Sequence, residues 1–178
     1  TFFKPLQYSN NIAHTQDCTF FGMKTPNVIN EVMKRPFFPI KSTELRSDMY
    51  FEKMLNDKFS IGSIDVETIA TNHPGGGLGY KFTEDGKSFV FLTDNEPKFD
   101  HPGGRQIDDY INFSKNVHSL IYDAEYTHEE YKKRTGWGHS LFYDVLDFAI
   151  KANIKRIGLS HINQDRTDDQ MDQIVKTS

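Results

Sequence analysis

What the chain has little of excludes several classes of protein. It holds one cysteine, Cys18, so an internal disulfide is ruled out and a reducing compartment suits it. It has no basic excess: 21 Lys and Arg stand against 25 Asp and Glu, a net charge of −4. That balance gives no electrostatic footprint for non-specific nucleic-acid binding, and only local basic patches remain open to it. No apolar run approaches the roughly 20 residues that span a bilayer, and no signal peptide is visible. A soluble, cytoplasmic chain without a membrane partner is expected. There is no Gly-x-Ser-x-Gly nucleophile elbow, and Cys18 lacks a local nucleophile signature. The chain shows no solenoid-length repeat and no linker, so one domain over residues 1–178 is expected.

What is present is a chain long enough for a sizeable core, rich in aromatics, with 15 Phe and 8 Tyr. Phe2, Phe3, Leu6, Phe20 and Phe21 are core-like, and Tyr8-Ser9-Asn10-Asn11 reads as a turn. Thr25-Pro26 opens a helix to about Lys34, which Pro36 ends. Phe37 to Ile40 is expected to be extended and docked on the core. Leu45 to Met54 fits a strand or a short helix equally. From Phe59 the pattern turns to β, with strand residues Ile61, Ile64, Val66 and Ile69 and then Gly79 to Phe82. A hairpin turn at Glu84-Asp85-Gly86-Lys87 leads to a strand from Ser88 to Thr93. A helix over Tyr110–Val117, a buried strand over Ser119–Asp123 and a capped polar segment from Thr127 to Lys133 follow. A last helix is expected within Gln164–Ser178.

The chain is organised around Gly136 to His161. Leu141, Val145, Leu146, Phe148, Ala149 and Ala152 recur at helical spacing. Asn153 suits a C-cap, because Asn tolerates the left-handed conformation that ends many helices. Ile154 to Ser160 is then a short strand. His139 before the helix and His161 after the strand can project into one cleft at the sheet's edge, where α/β proteins place their sites.

Two further candidates lie upstream. His73 ends one strand and precedes the glycines of Pro74-Gly75-Gly76-Gly77. Those glycines are a poor phosphate loop, since no Lys-Ser/Thr and no helix follows them. Asp94 ends the apolar strand Ser88–Thr93. Imidazole and carboxylate are ligands that suit zinc or manganese, and a carboxylate can bridge two ions. A metal-dependent hydrolase is the chemistry these residue types match best. A similar run, Asp100-His101-Pro102-Gly103-Gly104, sits in a polar insertion between Asp94 and Tyr110 and is expected at the surface, away from the site, with a lid over the cleft as the alternative.

Taken together, Asn72-His73-Pro74-Gly75-Gly76, Leu92-Thr93-Asp94, Leu120 to Tyr126, Gly138-His139-Ser140 and Leu159-Ser160-His161 resemble the later half of a metallo-β-lactamase-fold hydrolase. The blocks are most similar to the ribonuclease Z-like branch and its bacterial phosphodiesterase relatives. The resemblance implies an α/β (α+β) fold, the αββα sandwich, incomplete at its N-terminus. It implies that His73, Asp94 and His161 bind metal, with Asp94 bridging two divalent ions, zinc or manganese. It implies further that His139 assists general acid catalysis and that Asp123 supports it. Tyr122 stands where the ribonuclease Z branch commonly has His, which counts against tRNA processing. The family's first motif, His-x-His-x-Asp-His, is absent from the chain and is expected just before Thr1.

The substrate implied is a cyclic nucleotide or another small phosphodiester. Nucleic acid is a less favoured partner, and a homodimer is compatible with the reading. Hydrolysis of a thioester, lactam or lactone is the alternative on the same fold, and a non-catalytic scaffold with a degenerate metal site is the alternative outside enzymes.

Overall fold

The computed structural model describes residues 2–5, 18–21, 25–45, 49–52 and 57–176, with backbone alone at 2–5, 18–21, 25–28, 49–52 and 175. They fall into two compact units, Thr1–Asp57 and Lys58–Ser178. In the first, β1 (Phe2–Pro5), β2 (Cys18–Phe21) and β3 (Met49–Glu52) pair in that order, antiparallel and then parallel. One helix, α1 (Thr25–Val32), follows β2.

The helix expected from Thr25 forms in this unit, and the reading of Phe37 to Ile40 changes. Within the ambiguous stretch from Leu45 to Met54, the described residues Met49–Glu52 form strand β3. Phe37 to Ile40, expected as an extended docked segment, is a run of turns and bends, and Phe37 is 83% exposed. The physical reason is local. The N–H groups of Phe37 and Phe38 donate to the Lys34 carbonyl at 2.9 and 3.1 Å, continuing the turn of α1. Pro36 and Pro39 have no N–H to give to a strand ladder. Leu6 and the turn at Tyr8–Asn11 lie outside the described residues, as does the side chain of Cys18.

The second unit is a six-stranded sheet, β4 (Lys58–Ile61), β5 (Ile64–Ala70), β6 (Leu78–Glu84), β7 (Lys87–Leu92), β8 (Ser119–Asp123) and β9 (Ile157–Ser160), in sequence order. Pairing is antiparallel from β4 to β7 and parallel from β7 to β9. The change of direction is what short hairpins and long crossovers dictate. Glu84 and Lys87 face each other across a two-residue turn, whereas β7–β8 and β8–β9 are joined through helices. The first crossover holds α2 (Ile107–Ser114), and the second holds α3 (His128–Tyr131) and α4 (Phe142–Lys151). Helix α2 starts three residues before the Tyr110 expected, because the Asp109 carboxylate accepts the Gln106 N–H at 3.2 Å and caps the first turn. A final helix, α5 (Asp168–Lys176), ends the described chain. Among the described residues no helix is long and apolar enough to cross a membrane.

The core forms where α4 covers the parallel strands. Phe142, Val145, Phe148 and Ala149 of α4 are buried with Val90 and Leu92 of β7 and Leu120 and Tyr122 of β8. Their spacing of three and four is what places them on one stripe. Asn153 ends the turn after α4 at φ 53°, and its amide donates to Asn116 Oδ1 at 2.7 Å. Core and surface positions of α4 should therefore separate cleanly in a stability measurement. Phe148, 2% exposed and 5.0 Å from the Tyr122 ring, should cost about 3–5 kcal/mol when cut to Ala. Ile150, 79% exposed, should change urea unfolding by less than about 0.5 kcal/mol on the same replacement.

Candidate functional site

Three adjacent parallel strands end at one edge, and each carries a candidate there. Asp94 lies two residues beyond β7, Asp123 closes β8, and His161 directly follows β9. The register Asp123↔Ser160 and the bond from the Ala124 N–H to the Ser160 carbonyl, 3.0 Å, hold the last two ends level. Asp94 and His161 both have φ 53°, a left-handed conformation uncommon outside glycine. The chain thus turns sharply at both donors as it leaves the sheet.

Asp123 is fully buried, and its two oxygens are taken up completely. Oδ2 accepts the Asp94 N–H at 3.1 Å and faces His139 Nδ1 at 2.7 Å. Oδ1 accepts the Ser140 N–H at 3.1 Å and the Glu125 N–H at 3.4 Å. This geometry fixes the proton of His139 on Nδ1, where it donates to Asp123, and leaves Nε2 for the cleft. Burial alone would lower the His139 pKa. The hydrogen bond and charge of Asp123, with the charges of Glu125 and Asp94, outweigh it and raise the value above 6.5. The folded state therefore favours charged His139. That contribution to stability is complete below about pH 6.5 and is lost as pH rises through the folded value.

Around this pair the remaining donors face each other without closing hydrogen bonds. His161 Nδ1 lies 3.4 Å and His139 Nδ1 3.9 Å from Asp94 Oδ1. His139 Nε2 and His161 Nε2 lie 3.6 and 3.8 Å from Glu125 Oε2, and the two imidazole rings are 4.2 Å apart. Donor atoms of Asp94, Asp123, His139 and His161 all fall within 4.8 Å of one another. Two atoms bonded at about 2.1 Å to one tetrahedral zinc lie about 3.4 Å apart. The spacing of Asp94 and His161 thus fits a shared divalent cation, and both side chains are partly exposed. Asp123 lies within the cluster, but its oxygens are already spent on four donors, so it orients rather than ligates.

Four of the five candidates read from the sequence are brought together in this way. His73 stands beside them, outside the tight cluster, with its ring 5.6 Å from that of His139. Its Nδ1 faces the Gly75 N–H at 3.2 Å, which leaves Nε2 as its available atom. Tyr122 is not at the cleft: it is buried against Phe148, and its hydroxyl accepts from Asn95 at 2.8 Å.

Two acids beside the cluster, Glu125 and Glu96, carry little signal in the sequence. Glu125 faces both cleft histidines. Its one sequence signal was its place two residues after Asp123, where β8 has ended and alternation no longer applies. Tyr126, whose hydroxyl bonds to Glu125, is pushed above its ordinary pKa by burial and then by that acid, so it stays protonated. Glu96 is buried two residues after Asp94. The His101 loop also departs from expectation. It was expected at the surface, yet His101 is buried with its Nε2 3.2 Å from Glu96 Oε2, and Gly104 is packed directly on Asn72. A buried carboxylate needs donors, and the loop folds inward to bring one.

No family model matches the chain. Solved structures do: the metallo-β-lactamase fold protein YhfI from Bacillus subtilis superposes over 92% of this chain and 58% of its own, with a TM-score of 0.63 at 16% identity. The chain has the metallo-β-lactamase fold. The short form of human tRNase Z shares that fold at TM-score 0.58 and 17% identity, over 85% of this chain and 62% of its own. A diphosphatase from the PhnP family does so at 0.57 and 17%, over 87% and 51%. In sequence, the chain is 41% identical over 66 residues to a ribonuclease Z from Sulfurisphaera tokodaii, covering 37% of this chain and 22% of that protein. It is 31% identical over 91 residues to a ribonuclease Z from Halalkalibacterium halodurans, covering 51% and 26%. The chain spans about a quarter of the length of the curated relatives it matches.

The dependence of His139 on Asp123 can be read directly. In the metal-free protein His139 should titrate above 6.5, and Asp123→Asn should bring its midpoint down, since burial then acts with less opposition. Imidazole nitrogen resonances followed against pH give both midpoints, and an unmoved midpoint in the variant would contradict the assigned pairing.

Proposed function

We propose that the protein is a metal-dependent hydrolase of phosphodiesters, with a small phosphodiester such as a cyclic nucleotide as substrate. One observation carries this reading. An Asp–His pair spaced for a shared cation, Asp94 and His161, faces a second Asp–His pair, Asp123 and His139, whose geometry holds a proton in place. The match in sequence to ribonuclease Z proteins, which their name marks as nucleases, supports phosphodiester chemistry.

On this reading Asp94, His161 and His73 hold the metal, with Asp94 in reach of both histidines of the cleft. Divalent cations, zinc or manganese, supply Lewis acidity toward a phosphoryl oxygen and make water a nucleophile near neutral pH. The chain's own groups do the rest. Asp123 keeps the His139 ring oriented and its Nδ1 protonated. His139 Nε2 then delivers a proton to the departing oxygen, and the Asp123 carboxylate that raises its pKa favours the proton-carrying form. Glu125, held by Tyr126, sits against both histidines and restrains their rings.

The test is hydrolysis of bis(p-nitrophenyl) phosphate by the zinc- or manganese-loaded protein, beside an activated thioester. Turnover of the phosphodiester is expected. Turnover of the thioester alone would move the protein to the other hydrolases of the fold, and neither turnover nor bound metal would make it a scaffold. His139→Ala should lower kcat by about 10²- to 10⁴-fold while metal content stays. Asp94→Ala should lose both. With three candidate metal-ligating side chains, Asp94, His161 and His73, binding by this chain should be weak, so these assays are run in excess metal, and dialysis should then leave less than one equivalent of zinc. Two tightly held equivalents would mean that further ligands lie within it.

A further inference from the structure

Glu96 is 1% exposed, and its carboxylate is surrounded by donors. Oε1 accepts the Tyr131 hydroxyl at 2.7 Å and the Gly136 N–H at 2.8 Å. Oε2 accepts the Gly138 N–H at 2.7 Å and faces His101 Nε2 at 3.2 Å. Among the described residues no Lys or Arg pairs with it. A carboxylate taken out of water is costly, and these hydrogen bonds are what hold it there.

The bonds fall on alternate residues of the loop that carries His139. Where the N–H groups of Gly136 and Gly138 meet this carboxylate the chain runs left-handed at both, at φ 85° and 98°, which glycine adopts without a Cβ penalty. Gly138 is thereby pressed onto His73 and Pro74, where any added Cβ would overlap the His73 ring. The next residue is His139. The Glu96 N–H also donates to the Asn72 carbonyl at 2.9 Å, immediately before His73. One side chain therefore braces the backbone that packs on His73 and leads directly into His139.

We propose that Glu96 is a positioning residue: by gripping Gly136 and Gly138 it sets where the His139 and His73 rings stand relative to Asp94 and His161. Only an acceptor at both oxygens serves this role. Glutamine has the same shape but turns one oxygen into an NH2 group, which would meet N–H groups head on.

The proposal goes beyond the hydrolase reading, and only its kinetic arm rests on it. Glu96→Gln, an isosteric change, should move the amide protons of Gly136 and Gly138 and the ring nitrogen signals of His139 in the metal-free protein. The amide of Gly62, in an open turn between β4 and β5, should stay. In the metal-loaded protein kcat on bis(p-nitrophenyl) phosphate should fall about 10²-fold, as expected for a misplaced catalytic group, with KM changed less than about threefold. A packing role would be met equally by glutamine. His139 signals and kcat like those of the parent, or a kcat falling only in step with the folded fraction by circular dichroism, would overturn the proposal. If Glu96→Gln does not fold, Tyr131→Phe removes one donor and keeps the ring. It should shift the Gly136 amide and the His139 ring signals in the same directions, less strongly, and no shift would overturn the proposal. If the parent protein fails to hydrolyse the phosphodiester, the hydrolase reading fails, while the resonance arm still decides the role of Glu96.

Discussion

Asp123 is the constraint on which the rest of the site depends. A fully buried carboxylate is tolerated only where every lone pair finds a donor, and its four donors come from three places in the chain: Asp94, Glu125 and the adjacent pair His139 and Ser140. Two of them, the N–H groups of Asp94 and Ser140, fix the strand end after β7 and the entry to α4. The others fix Glu125 and the imidazole of His139. A shift of any one of these segments would break at least one bond to the buried carboxylate, so Asp123 ties the parts of the cleft together. The left-handed turns at Asp94 and His161 are sustained in such a setting, because strain persists where neighbouring contacts leave no escape.

Much of this was legible in the sequence, and the reasons are local ones. The strands from β4 to β8 are bounded by turn residues and carry β-branched or aromatic side chains. The helix α4 has an apolar stripe and a left-handed Asn153 behind it. His161 and Asp94 could be placed because strand ends are visible without knowing what the strands pair with. The resemblance supplied what locality could not, in singling out Asp123 from the other acids.

What stayed hidden depends on distant partners. Nothing near Glu96 says that Gly136 and Gly138 will reach it from some 40 residues away, so its burial could not be foreseen. The inward fold of the His101 loop follows from that burial and was hidden with it. Phe37 misled for the opposite reason: an apolar side chain suggests cover, yet the two prolines around it favour turns that leave it in solvent. Hydrophobicity ranks residues for burial, and backbone hydrogen bonding decides which of them reach it.

The position of β9 has a consequence for how the molecule folds. It is four residues long and lies at the end of the described sheet, and His161 hangs from its last residue. The donors Asp94 and His161 are far apart along the chain, so the cluster cannot exist until a long loop has closed and the edge strand has docked. Edge elements also open more cheaply than central ones, and each opening takes one donor away. A cation held between Asp94 and His161 would bind only the closed form and so would stabilise this edge by mass action. Amide exchange in β9 would then slow with metal concentration while exchange in the central β7 did not, making the edge of the sheet a gauge of occupancy.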